Sequence, residues 1–213
     1  DLDSQKHKII LPKPKYNKDW PQAGGYAHHA MHHLQVNSSL KEHLNIDIGS
    51  GNDDQKRIMS QPIVAKGQIF TMDSETVINA YSIKNGRKIW SSEITPKNES
   101  DDYINGGLAY ERNKIFATTG FGQVVALAEN SGKVLWRQNI GIPMHGAPTA
   151  KNNRVFAITV TNKLYTLDAK TGAILWTHSG IEETTNLLGS SSPTVDSDVV
   201  IASYSSGEFL DSF

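Results

Sequence analysis

Three short stretches of this chain repeat one pattern at nearly constant spacing, and that repeat limits the folds open to it. They are Asn85-Gly86-Arg87-Lys88-Ile89-Trp90, Ser131-Gly132-Lys133-Val134-Leu135-Trp136 and Thr171-Gly172-Ala173-Ile174-Leu175-Trp176, each a polar residue, a glycine and an apolar lead-in to tryptophan. The tryptophans stand 46 and 40 residues apart, which is the length of one four-stranded propeller blade. Leu44-Asn45-Ile46-Asp47-Ile48-Gly49 aligns with Trp136-Arg137-Gln138-Asn139-Ile140-Gly141, so Leu44 lies a further 46 residues ahead of Trp90, with leucine where the pattern has tryptophan.

Strands can be read within each unit. In the third, Pro148-Thr149-Ala150 begins an inner strand, Asn152-Asn153 turns, and Arg154 to Thr159 is rich in β-branched and aromatic residues. Leu164-Tyr165-Thr166-Leu167 follows, and Asp168 to Gly172 closes a hairpin before the strand that carries Trp176. Apolar residues often run consecutively instead of alternating, as expected where neighbouring sheets cover both faces. A tryptophan fixed at one place in each outer strand offers a large flat surface for wedging against the next blade.

The remaining composition narrows the function. Acidic and basic residues nearly cancel, with a formal net charge of -1, so no overall basic field draws in nucleic acid or an anionic membrane surface. The absence of cysteine removes disulfides, thiolate zinc sites and thiol nucleophiles.

Preceded by Tyr165-Thr166-Leu167-Asp168 or Val125-Ala126-Leu127, the glycine-to-tryptophan hairpin resembles the PQQ-enzyme repeat. WD repeats fit poorly, because Ser91, Arg137 and Thr177 follow the tryptophans where aspartate belongs. Trp20-Pro21-Gln22-Ala23-Gly24-Gly25 and Asp47-Ile48-Gly49-Ser50-Gly51 are similar to the lead-in of BamB-like outer-membrane assembly factors, the non-enzymatic branch of that repeat family. The resemblance implies an all-β propeller, incomplete, with residues 1–43 as an N-terminal extension and blades over 44–213. Within the latter it implies a stray outer strand at 44–48, full units at 62–94, 106–140 and 146–180, and an incomplete unit at 190–213. Leu44, Gly86, Trp90, Gly132, Trp136, Gly172 and Trp176 are then structural blade positions. Either the stray strand at 44–48 closes a small four-bladed ring with the incomplete unit, or the chain is an open arc of blades that bares two apolar faces and should self-associate.

The same resemblance implies no catalysis, no cofactor and a place at the periplasmic face of the outer membrane. The implied partner is a BamA-like barrel-assembly protein, contacted by the long connection between Trp176 and Pro193 through Leu187 and Leu188. The alternative branch, the quinoprotein dehydrogenases, would bring PQQ and calcium; a third alternative is a propeller serving another envelope partner.

Other clusters are weaker. His28, His29, His32 and His33 would make two i, i+4 pairs for a metal on a helix, but Gly24-Gly25 and Asn37-Ser38-Ser39 flank them with turn formers, so a loop without metal is expected. Asp53-Asp54, Asp101-Asp102 and Glu182-Glu183 fall between blades and read as solvated loop tips.

Overall fold

The computed structural model describes residues 10–52, 57–97, 104–181, 191–207 and 209–212. All regular structure among them is strand, in four antiparallel sheets. The first sheet holds β1 (Ile63–Ala65), β2 (Gln68–Met72), β3 (Val77–Ser82) and β4 (Lys88–Glu93), in chain order. The second holds β5 (Leu108–Glu111), β6 (Lys114–Thr118), β7 (Gln123–Ala128) and β8 (Val134–Asn139). The third holds β9 (Thr149–Lys151), β10 (Arg154–Ile158), β11 (Lys163–Asp168) and β12 (Ile174–Ser179). The fourth has three strands, β13 (Thr194–Asp196), β14 (Val199–Ser203) and β15 (Phe209–Ser212). Each is a blade, and no sheet closes on itself; the chain is an incomplete all-β propeller of PQQ-like blades.

The blades stack through three apolar interfaces. Ile63, Phe70, Ile78 and Trp90 of the first meet Leu108, Ile115, Val125 and Leu127 of the second. Phe116, Val124 and Ala126 meet Ala150, Val155 and Leu167 of the third. Phe156, Ile158 and Leu164 meet Val195, Val200 and Ala202 of the fourth. Strands β3, β7 and β11 are buried through their four central residues, whereas β4, β8 and β12 are largely exposed. The consecutive apolar residues of the middle strands follow from that two-sided cover.

Every outer strand carries the same irregularity. Ala80 pairs with Trp90 but Tyr81 with Lys88, so Ile89 is an extra residue; Leu135 and Leu175 are skipped in the same way. Such a bulge bends the strand and re-aims the next side chain. Trp90 packs at 5.9 Å from the Phe70 ring, Trp136 at 5.9 Å from Phe116, and Trp176 at 6.3 Å from Phe156. Each phenylalanine stands 20 residues ahead of its tryptophan, a second period that marks the same interfaces.

Glycine completes the motif. Gly132 and Gly172 turn their hairpins at φ 68° and 78°, a region that side chains resist. A Cβ on Gly132 would overlap the Trp90 ring, and one on Gly172 would stand 2.7 Å from Trp136 Cε3. The tryptophan of one blade therefore lies on the glycine of the next, and its Nε1 donates to the same turn: Trp90 to Glu129 O at 2.8 Å, Trp136 to Ala169 O at 3.3 Å.

Residues 44–48 form no strand. They lie instead against the first blade, on the face opposite the stacked core. Tyr81, only 2% exposed, donates its hydroxyl to Asp47 O at 2.9 Å, and Asn79 Nδ2 donates to Ile48 O at 3.2 Å. A Cβ on Gly86 would meet Ile46 Cγ1 at 3.4 Å and Leu44 Cδ2 at 3.6 Å. The expected outer strand at 44–48, and with it the bare face of the first blade, is thus corrected: side-chain donors on β3 hold Asp47 and Ile48 over that blade in place of a ladder. On the fourth blade Ile201 is 44% exposed.

Candidate functional site

Inner strands β1, β5, β9 and β13 each lie at a sheet edge, where unpaired backbone groups would face the propeller axis. A strap formed by residues 20–29 crosses all four. Trp20 exchanges both backbone hydrogen bonds with Val64 of β1, at 2.7 and 2.8 Å. Pro21 O accepts from Tyr110 N of β5 at 2.8 Å, and Gln22 bridges Ala109. The Gln22 side chain then reaches β9: Nε2 donates to Ala150 O at 2.6 Å, and Oε1 accepts from Ala150 N at 2.9 Å. Its primary amide thereby replaces a strand residue, presenting one donor and one acceptor as a peptide group does.

After Gln22 the strap turns tightly, with Gln22 and Gly25 exchanging backbone bonds and Gly24 and Gly25 at φ 74° and 99°. Ala27 O accepts from Val195 N of β13 at 2.7 Å, and the Ala27 side chain enters the third interface. His29 Nδ1 lies 3.0 Å from Thr194 Oγ1. Burial, and secondarily the neighbouring His28, hold the His29 imidazole below its usual pKa. Aperiodic and fastened mainly by backbone bonds and the Gln22 amide, the strap leaves only the Trp20-Pro21-Gln22 run and the paired glycines as a sequence signal.

The four histidines take different partners. His33 Nδ1 lies 2.8 Å from Pro12 O, His28 Nδ1 accepts from Ala30 N at 3.0 Å, and the His28 and His32 rings are 6.1 Å apart. Among the described residues no three His, Cys, Asp or Glu side chains are placed to hold a metal ion.

Leu187 and Leu188, together with the three acidic pairs, lie outside the described residues. The stem of their connection is described, and it is anchored. Asn162, 3% exposed and at φ 56°, donates through Nδ2 to Ile181 O at 2.7 Å while its own O accepts from Gly180 N at 2.8 Å. Its Oδ1 accepts from Ser205 N at 3.1 Å and Ser205 Oγ at 2.9 Å. On the far side Ser191 Oγ donates to Ser203 O at 2.7 Å. One buried amide therefore ties the exit of β12 to the turn after β14, and Ile181 stands 59% exposed at the loop's start.

Similarity to known proteins follows this architecture. A protein of Rickettsia prowazekii (strain Madrid E), described only as uncharacterized, is 29% identical over 157 residues, covering 73% of this chain and 38% of that protein. The quinoprotein ethanol dehydrogenase of Pseudomonas aeruginosa is 34% identical over 110 residues, 46% of this chain and 17% of the enzyme. The crystal structure of BamB from Moraxella catarrhalis superposes with a TM-score of 0.59 at 19% identity, over 77% of this chain and 47% of that one. The chain spans less than half the length of each. The family model described as outer membrane protein assembly factor BamB matches residues 73–210, from the β2–β3 turn into β15, and the chain therefore belongs to that PQQ-repeat family.

Proposed function

We propose that this chain is a non-catalytic scaffold that docks a BamA-like barrel-assembly protein at the periplasmic face of the outer membrane, through the connection that carries Leu187 and Leu188. The observation that carries this reading is the family match across the blades on both sides of that connection. The anchored stem supports it, because Asn162 ties the exit of β12 to the turn after β14, in the two blades that the connection joins. An apolar pair in an interblade connection supplies contact area, and the polar residues next to it in the sequence set orientation.

The test is binding of the full chain to the periplasmic region of a BamA-like protein, measured by interferometry. Leu187→Glu is expected to weaken binding by about 30-fold or more, as for a buried apolar anchor; Lys84→Gln, on a distant hairpin, is expected to leave it unchanged. Absence of binding by the unaltered chain would overturn the reading. The 34% identity with a quinoprotein dehydrogenase favours a second reading, an enzyme fragment, which a bound chromophore on adding PQQ and calcium would support.

A further inference from the structure

The near-zero net charge conceals an uneven distribution. In the N-terminal extension a cleft of about 330 Å³ opens between residues 15–17 and 26–34, and a second of about 240 Å³ adjoins it, the two sharing Lys15, His32 and His33 in their walls. Lys13 lines the second cleft and His28 the first. No carboxylate lines either, and among the described residues neither lysine has an ion-pair partner. Asp19 is nearby in sequence but outside both walls.

Exposed apolar side chains accompany these clefts: Tyr16 lines the first, and Leu11 and Val36 stand within two residues of the lining residues Pro12 and Leu34. Leu11 is 70% exposed, Tyr16 73% and Val36 68%, above every large apolar side chain described from residue 41 onward. Backbone bonds join the two segments that form the clefts: Lys15 N to His33 O at 2.9 Å, and Gln35 N to Lys15 O at 2.8 Å. The contact of His33 with Pro12 O fixes the segment next to Leu11.

Basic groups without acidic partners recognise phosphate, and exposed aliphatic and aromatic side chains around them recognise the acyl boundary beneath it. A free phosphate would need only the first. We propose that residues 10–36 form a docking face for an anionic phospholipid surface, with Lys13, Lys15 and His32 on the headgroup phosphate and Leu11, Tyr16 and Val36 entering the interface. This face is separate from the loop after β12, so its test stands apart from that of the partner reading.

The experiment is flotation of the full chain with vesicles of phosphatidylcholine alone, or mixed with phosphatidylglycerol, with inorganic phosphate as a parallel ligand in calorimetry. Binding is expected to the mixed vesicles only and to fall as salt is raised. Lys13→Gln and Lys15→Gln should each lower partitioning about fivefold, Leu11→Ser should also lower it, and Lys170→Gln, on a distant hairpin, should not. Equal binding to neutral vesicles would overturn the proposal. So would binding of inorganic phosphate with no vesicle binding, which would make the cleft a free-anion site, or the absence of binding to either.

Discussion

At the scale of single residues, glycine and tryptophan form one unit divided between two blades. Gly132 supplies a positive φ and a surface without a side chain, and Trp90 from the preceding blade occupies that surface. Gly67 separates the two effects, because its φ is 73° while the nearest atom to an added Cβ is Ile83 Cγ2 at 3.9 Å. Gly67→Ala should cost about 1–2 kcal/mol from backbone strain alone. Gly132→Ala should cost about 2–5 kcal/mol, since overpacking adds to strain. Urea unfolding of the two variants checks this, and equal losses would mean that the indole moves aside freely. Titration provides a second prediction at this scale. Burial lowers the pKa of His145 as well as that of His29, and among the described residues His145 Nδ1 is buried with no hydrogen-bond partner. The unfolded chain therefore binds protons more readily than the folded one, so stability is intact above a pH of about 6.5 and declines as pH falls below it. The urea midpoint measured across that range should follow this course, and replacing both histidines with glutamine should flatten it.

At the scale of elements, what was legible in the sequence is what repeats. Trp90, Trp136 and Trp176 recur because each does the same packing task one blade further on, and the hairpin glycines recur with them. The phenylalanine series at 70, 116 and 156 was equally available, since each precedes its tryptophan by 20 residues; single aliphatic neighbours such as Ile69 hid it in runs of apolar residues. The strap was not legible, because Trp20, Gln22 and Ala27 act once each and two of them through their backbone. Nor was the covering of the first blade by residues 44–50, which depends on hydroxyl and amide donors of β3 and not on a strand pattern. Gln22→Ala tests the strap as an element. It removes two hydrogen bonds and leaves the amide and carbonyl of Ala150 unpaired on a buried edge, a loss of about 2–4 kcal/mol. In hydrogen exchange the Ala150 amide should lose protection while amides of β7 are little changed; unaltered protection at Ala150 would show that the Gln22 amide contributes nothing there.

At the scale of the whole molecule, stacked blades make a one-dimensional array in which each sheet touches only its neighbours, so stability is a sum of blade and interface contributions and opening begins where interfaces are fewest. The second and third blades are packed on both faces, whereas the described face of the fourth blade away from the third carries the exposed Ile201. The strap departs from this neighbour-only scheme, because ten residues of chain join β1 to β13 through β5 and β9. Opening of the fourth blade must therefore release Ala27 and His29 as well as the Val195, Val200 and Ala202 packing. Native-state hydrogen exchange should find the slowest amides in β6, β7, β10 and β11, with those of β14 exchanging at least about tenfold faster. Because Gln22 is the fastening between the strap's first half and the third blade, Gln22→Ala should widen that gap by loosening the turn that presents Ala27 to β13. Uniform protection across the four blades would mean that the array opens as one body, and an unchanged gap in the variant would mean that the strap's two halves hold their blades independently.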